Sequence, residues 1–150
     1  MREGARGVSA LELLIAVAVG AVLVIVVAPA LERYQRLREL RQGAQLLLAA
    51  VRLAQQQATT LDEEVRLVYA AGPPGRYTVE TLGGAGLHHG ELPAAVAVSG
   101  TFAATPLRFR PSGAPVAAGE FCLTEGTRWY RLDVSPQTGR AALGEVASCP

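Results

Sequence analysis

The sequence predicts an α+β fold, in which one long N-terminal helix packs on a C-terminal antiparallel β-sheet or sandwich. Three observations support this prediction. No charged residue occurs from Leu13 to Leu31. Apolar residues then continue at spacings of three and four as far as Ala58, which is the period of a helix. The rest of the chain divides into short alternating segments separated by Gly, Pro and Ser, as in antiparallel β structure.

The first half of the helix has the length and composition of a membrane span. At about 1.5 Å per residue, the charge-free segment covers roughly 28 Å, close to the hydrocarbon thickness of a bilayer. A single segment in lipid satisfies its backbone only as a helix. Pro29 removes one helical hydrogen bond near the end, so we predict a kink there. We therefore assign residues 8–31 to a transmembrane half of the helix.

The second half of the helix, residues 32–61, is amphipathic. Its apolar positions form one stripe, and the polar residues between them fall on other faces. The members of the stripe are Leu31, Tyr34, Leu37, Leu40, Ala44, Leu47, Val51, Ala54 and Ala58. Such a stripe needs a partner, and we expect it to pack on a β-rich domain formed by residues 62–150.

Glu64–Ala70 and Arg76–Leu82 read as two strands joined by a turn at Gly72–Gly75. The stretch Gly83–Gly90 is predicted to be a Gly-rich loop. Further short strands are expected within residues 95–100, 107–113, 120–126, 128–135 and 139–146.

Composition and charge exclude several functions. The formal net charge is +1, too small to attract nucleic acid or an anionic surface strongly. Cys122 and Cys149 fit no metal-binding spacing, and no cofactor motif occurs. If the C-terminal part lies outside the cytoplasm, a disulfide between them is expected; in a reducing compartment they would be two free thiols.

Glu12 lies in the apolar segment and allows three interpretations. A secretory signal peptide could be cut after Ala28–Ala30, although the helical stripe runs through that point. A plain membrane anchor leaves the carboxylate unexplained, at a cost of about 2.5–3.5 kcal/mol. A cut after Gly7 would free the α-amine of Val8, and Glu12 of a neighbouring copy could pair with that amine in a filament of packed helices.

The stretch "RGVSALELLIAVAVGAVL" resembles the class III signal of type IV pilins and type II secretion pseudopilins. The resemblance implies cleavage between Gly7 and Val8 by prepilin peptidase, after a leader of residues 1–7. It also implies N-methylation of Val8 and an assembly salt bridge to Glu12. Pro29 stands where this family commonly has a proline. The family most often has Phe or Met at the position of Val8.

The C-terminal part resembles the GspH/FimT branch of minor pseudopilins and minor pilins. The family pattern F-x-P-x-G is matched by Phe109, Pro111 and Gly113, and an S-x-x-G-R turn by Ser135 and Gly139–Arg140 with one extra residue. The resemblance implies a pilin-like fold and a structural subunit, not an enzyme.

The implied protein is a minor pilin or pseudopilin of a type II secretion or type IV pilus system. It would be a single-pass protein of the bacterial inner membrane with a periplasmic C-terminal domain. Its partners would be other pilins, prepilin peptidase, the inner-membrane assembly platform and, before assembly, lipid. The alternative is an extracytoplasmic binding domain that is membrane-anchored or released from a signal peptide, including a minor pilin that contacts DNA.

Other candidate sites have simpler explanations. Adjacent His88 and His89 would point to opposite faces of a strand, so we expect a solvated pair and no metal site. The Gly83–Gly90 stretch lacks the lysine and helix of a phosphate-binding loop. Glu120 and Glu125 flank Cys122 and are expected to be exposed strand-end charges.

Trp129 and Tyr130 lie between Arg128 and Arg131. In this arrangement the aromatic rings could stack on DNA bases and the arginines could neutralise phosphates. We expect instead one core aromatic and one surface aromatic. The C-terminal segment 139–150 has one Arg and one Glu, which gives no basic patch. DNA binding is therefore not predicted.

Overall fold

The computed structural model describes residues 9–72 and 74–149; at 23–26, 29 and 30 it describes the backbone alone. The chain divides into two compact units, residues 1–35 and 36–150. Helix α1, Ala10–Leu61, contributes to both. Its 52 residues agree with the single long helix predicted from the sequence. Asp62, directly after α1, has a φ of 53°, the left-handed conformation that commonly ends a helix.

No helix formed by the described residues is both long and apolar enough to cross a membrane. The transmembrane character of residues 8–31 stays a prediction.

The second half of α1 buries the predicted stripe, but only from Leu40 onward. Leu40 is 1 % exposed, whereas Leu31 and Tyr34 are 53 % and 52 % exposed. The stripe is buried only where strands cover it, which the helical period alone does not reveal. Its fully buried members are Ala44, Leu47, Val51, Ala54 and Ala58.

Among the described residues, the remaining elements are eight strands and one short helix. They are β1 (Val65–Ala70), β2 (Arg76–Thr81), β3 (Gly86–Glu91), β4 (Ala97–Ser99), α2 (Thr101–Ala104), β5 (Leu107–Phe109), β6 (Gly119–Glu125), β7 (Arg128–Val134) and β8 (Ala141–Val146). They form two four-stranded sheets with the orders β3-β2-β1-β5 and β4-β6-β7-β8. Every pairing is antiparallel, as the short alternating segments predict.

The prediction of a loop over Gly83–Gly90 was wrong for its second half. Strand β3 pairs with β2, with His89 opposite Thr78 and a register shift between Val79 and Glu80. The segment lacks β-forming residues, but β3 is an edge strand whose pairing uses backbone groups on one side only.

One hydrophobic core unites the second half of α1 with the inner faces of both sheets. In the first sheet, Leu67 and Phe109 are fully buried, and in the second Phe121 and Leu132 are fully buried. The alternation of buried and less buried residues along β1, β2 and β5 is that of strands with one face on a core.

Candidate assembly interface

The described side chains in the first half of α1 expose a large apolar surface. Among the side chains described there, those of Leu11, Leu14 and Val17 are 66 %, 65 % and 62 % exposed. Exposed apolar surface of this kind is typical of a protein–protein or membrane contact. Its further members are Leu13, Ile15, Val19, Val22, Val27 and Leu31.

Glu12 lies in the first turn of α1 and is exposed. Ser9 precedes the helix, and its Oγ accepts a hydrogen bond of 3.3 Å from the Leu11 N–H. The Ser9 carbonyl accepts a second bond of 3.1 Å from the Leu13 N–H. A carboxylate in the first turn is also favoured by the helix dipole, typically by 0.3–1 kcal/mol. The Ser-x-x-Glu spacing of Ser9 and Glu12 is that of a capping box, which the sequence interpretation overlooked.

The predicted cleavage and methylation positions, Gly7 and Val8, lie outside the described residues. Pro29 lies within α1, where only its backbone is described. The predicted kink at Pro29 stays a prediction.

Cys122 and Cys149 lie side by side, with an S–S distance of 2.11 Å and Cα atoms 6.1 Å apart. Cys122 is fully buried on β6, and Cys149 is next to the C-terminus of the chain. The bond therefore ties the segment after β8 to the second strand of its own sheet.

The two turns that carry the GspH/FimT resemblance meet at one helix side chain. Gln55 of α1 donates hydrogen bonds of 2.9 Å from its Nε2 to the carbonyls of Gly113 and Thr138. The first turn follows β5 and the second precedes β8, so a single amide connects α1 to one turn from each sheet. Nothing in the sequence marks Gln55 as a contact residue, because a glutamine is common within a helix.

Glycine is required at both turns. Gly113 has a φ of 78° and Gly139 a φ of 68°, in the left-handed region. A Cβ at Gly139 would lie 2.6 Å from Gln55 Nε2 and 2.6 Å from the Gly113 carbonyl oxygen. A Cβ at Gly113 would lie 3.0 Å from Thr59 Cγ2. The motif glycines therefore allow the close approach of both turns to α1.

The arginines beside Trp129 are already paired within their own sheet. Arg128 Nη1 lies 3.2 Å from Glu145 Oε1, and Arg131 Nε lies 3.3 Å from Asp133 Oδ2. These acids reduce the positive charge available to a phosphate backbone. The arrangement thus gives no basic patch around the aromatics.

The histidines lie on strand β3 and not in a loop. The ring of His88 is 6.0 Å from that of Tyr77, and the two histidine rings are 6.5 Å apart. Within the part of the chain that the structure describes, no group of three or more His, Cys, Asp or Glu side chains is placed to hold a metal ion.

The prediction that Glu120 and Glu125 are exposed strand-end charges was wrong, since both are only partly exposed. Glu120 Oε2 lies 3.7 Å from Arg131 Nε. Glu125 Oε2 is buried, although the residue as a whole, at the end of β6, is partly exposed.

Comparison with known proteins agrees with this geometry. The family model for GspH, a type II transport protein, matches residues 43–138, which is more than half of the chain. The chain therefore belongs to the GspH family, within the GspH/FimT-type minor pilin superfamily. No curated protein matches its sequence.

Two crystal structures of the type IV minor pilin FimU from Pseudomonas aeruginosa are similar to this chain. The first has 21 % identity and a TM-score of 0.65, and the match covers 75 % of this chain and 96 % of FimU. The second has 17 % identity and a TM-score of 0.62, with 73 % and 99 % covered. At these identities the likeness establishes the shared α+β fold: a long N-terminal helix with antiparallel sheets.

Proposed function

We propose that this protein is a minor pilin or pseudopilin, a structural subunit of the filament of a type II secretion or type IV pilus system. One observation supports this above all. A β-rich unit of the GspH family continues into a helix whose first half exposes apolar side chains from Leu11 to Leu31. On an isolated chain in water, exposure of this apolar surface would be unfavourable by roughly 25 cal/mol per Å². We therefore expect lipid or other pilin helices to cover it.

Before assembly, residues 8–31 would anchor the chain in the inner membrane, with the β-rich part in the periplasm. Prepilin peptidase would remove residues 1–7, and Val8 would become the methylated N-terminus. The oxidising periplasm suits the Cys122–Cys149 pair. The assembly platform would then transfer the helix from lipid to a bundle of neighbouring pilin helices.

Within the filament, Glu12 would pair with the α-amine of Val8 on an adjoining copy. This pair would set the axial register of neighbouring helices, because a charge without its partner in an apolar bundle costs about 3–5 kcal/mol.

Mass spectrometry of the N-terminus of the native protein tests the proposal directly. A start at Val8 supports processing and assembly. A start at Leu31 would identify a signal peptide, and an intact Met1 would identify an ordinary anchor. Either of the last two results contradicts the proposal.

Substitution of Glu12 tests the pairing. We expect Glu12→Ala to reduce incorporation into filaments by about tenfold or more, while the chain still accumulates in the cell. Glu32→Ala, which removes an exposed acid from the same helix, is the control and should incorporate normally. Equal incorporation of both variants would refute the role of Glu12, even if the N-terminus is processed.

A further inference from the structure

Strand β3 leaves one side of its backbone unpaired. It ends the first sheet, so among the described strands only β2 pairs with it. Its six residues make it longer than the edge strands β4 and β5, which have three residues each. It contains neither lysine nor proline, two residues by which proteins commonly prevent an edge from pairing with another chain. The edge of β3 is therefore open to an added strand.

The free backbone groups of β3 can be assigned to particular residues. The Leu92 N–H donates a hydrogen bond of 2.8 Å to the Gly75 carbonyl, and these two residues lie opposite each other when the register of β2 and β3 is continued. Bonded and non-bonded pairs alternate along an antiparallel ladder. The N–H and C=O of His89 therefore point to the open edge, whereas those of His88 and Gly90 point to β2.

A groove of about 720 Å³ lies between the inner face of β3 and the amphipathic half of α1. His88 lies opposite the fully buried Val79, so its side chain is on that inner face. His88 and Tyr77 line the groove on the side of the sheet, with their rings 6.0 Å apart. The Tyr77 ring occupies the space where a Cβ of Gly90 would lie. Among the described residues of β3, His88 is thus the one that lines the groove.

Helix α1 lines the other side of the groove with apolar and cationic groups. Leu46 and Leu53 are partly buried there, and Arg52 is exposed. Arg52 has no ion-pair partner within the described part of the chain. No Asp or Glu is among the described residues that line the groove. The groove therefore combines apolar surface with an arginine and an imidazole, two groups that bind carboxylates.

We propose that the open edge of β3 is a docking site for an extended segment of another protein, which adds to the four-stranded sheet and points a carboxylate into the groove. Backbone hydrogen bonds with His89 would supply affinity, and alternate side chains of the segment would face the groove. Apolar side chains fit against Leu46 and Leu53, and an acidic one fits beside Arg52. The site lies in the β-rich unit and goes beyond the proposed function, because it does not depend on N-terminal processing.

A nitrogen-15 NMR titration of the full chain in detergent micelles tests the charge preference. The probe is the acetylated and amidated peptide TVTETVT, whose Val and Glu side chains share one face of a strand, and the comparison peptide is TVTKTVT. We expect the acidic peptide to shift the amide resonances of β3 and to bind about tenfold more tightly than the basic one.

Reversal of one charge in the groove should reverse that preference. Arg52→Glu should bind the basic peptide more tightly than the acidic one. Arg41→Glu, the matched control at an exposed position of α1 outside the groove, should keep the wild-type order. Absence of peptide binding to wild type, or equal binding of the two peptides, would overturn the proposal.

His89→Pro tests the added strand itself. Proline removes the N–H that points to the open edge and none that bonds to β2, a position that edge strands tolerate. We expect this variant to bind the acidic peptide about tenfold more weakly, whereas His89→Ala, which keeps the N–H, should bind like wild type.

Hydrogen exchange of the wild-type chain tests the same contact without a substitution. The bound acidic peptide should slow exchange of the His89 amide, because that N–H would become part of a ladder. Unchanged exchange in the presence of bound peptide would refute strand addition, as would equal binding by His89→Pro and His89→Ala.

Discussion

Gln55 shows how one side chain can organise a family motif. Its two hydrogen bonds of 2.9 Å end on carbonyls that are 25 residues apart in the chain, in turns that adjoin different sheets. Gly139 allows these turns to meet, because only hydrogen fits between Gln55 Nε2 and the Gly113 carbonyl. The motif turns therefore serve to dock both sheets on α1.

Replacing Gln55 by alanine should lower the free energy of unfolding by about 1–2 kcal/mol, since the carbonyls of Gly113 and Thr138 lose their donor and the first bond is partly buried. Urea unfolding of the full chain in micelles would measure this loss. Gln56→Ala removes an exposed amide from the next helix position and should change stability by less than about 0.5 kcal/mol. Equal effects of the two substitutions would contradict the docking role of Gln55.

Gly139→Ala should be clearly more destabilising than Gly126→Ala. Both glycines have left-handed φ angles, of 68° and 64°, so both substitutions carry a conformational cost of about 1–2 kcal/mol. A Cβ at Gly126 meets no atom within 4 Å, whereas at Gly139 it meets Gln55 and the Gly113 carbonyl at 2.6 Å. We expect about 2 kcal/mol of additional loss at Gly139 in thermal or urea unfolding. A smaller loss at Gly139 than at Gly126 would argue against close contact there.

At the scale of elements, α1 presents two different apolar surfaces. From Leu40 to Ala58 its stripe is buried in the core, while from Leu11 to Leu31 its described apolar side chains remain exposed. The apolar residues of the second half therefore stabilise the fold. Those of the first half are available for contact with other molecules.

Leucine-to-alanine substitutions in the two halves of α1 should separate folding from assembly. Leu47→Ala removes a fully buried side chain and should cost about 2–5 kcal/mol of unfolding free energy. Leu31→Ala removes one that is 53 % exposed and should leave unfolding nearly unchanged. If the proposed function is right, Leu31→Ala should instead reduce incorporation into filaments. A large loss of folding stability in Leu31→Ala would contradict this division.

At the scale of the whole molecule, the Cys122–Cys149 bond spans 27 positions and fixes the segment after β8 to β6. Replacing both cysteines by alanine should cost roughly 3–4 kcal/mol on the chain-entropy model. Comparison of oxidised wild type, reduced wild type and the double variant by urea unfolding would measure this. Reduced wild type should resemble the double variant; equal stability of all three would show that the bond contributes nothing.

Much of the fold could be predicted because it depends on local periodicity. The length of α1, its buried stripe and the strands β1, β2, β6 and β7 follow from spacings of three to four or of two. The prediction was wrong where tertiary context outweighs local preference. Strand β3 forms from Gly and His because β2 supplies its backbone partners.

For the candidate sites, the division is similar. The apolar segment, Glu12 and the motif glycines are visible in the sequence because their chemistry or spacing is unusual. The contacts of Gln55 and the buried oxygen of Glu125 are not visible in the sequence. Both depend on groups that are distant in the chain.

The sequence by itself therefore determined that this protein has a long apolar-to-amphipathic helix, an antiparallel β-rich unit and the marks of the pilin superfamily. Only the tertiary structure decided where the stripe becomes buried and which turns Gln55 holds. The physical reason is that periodicity and propensity act between near neighbours, whereas burial and hydrogen bonding depend on which distant segments the fold brings together.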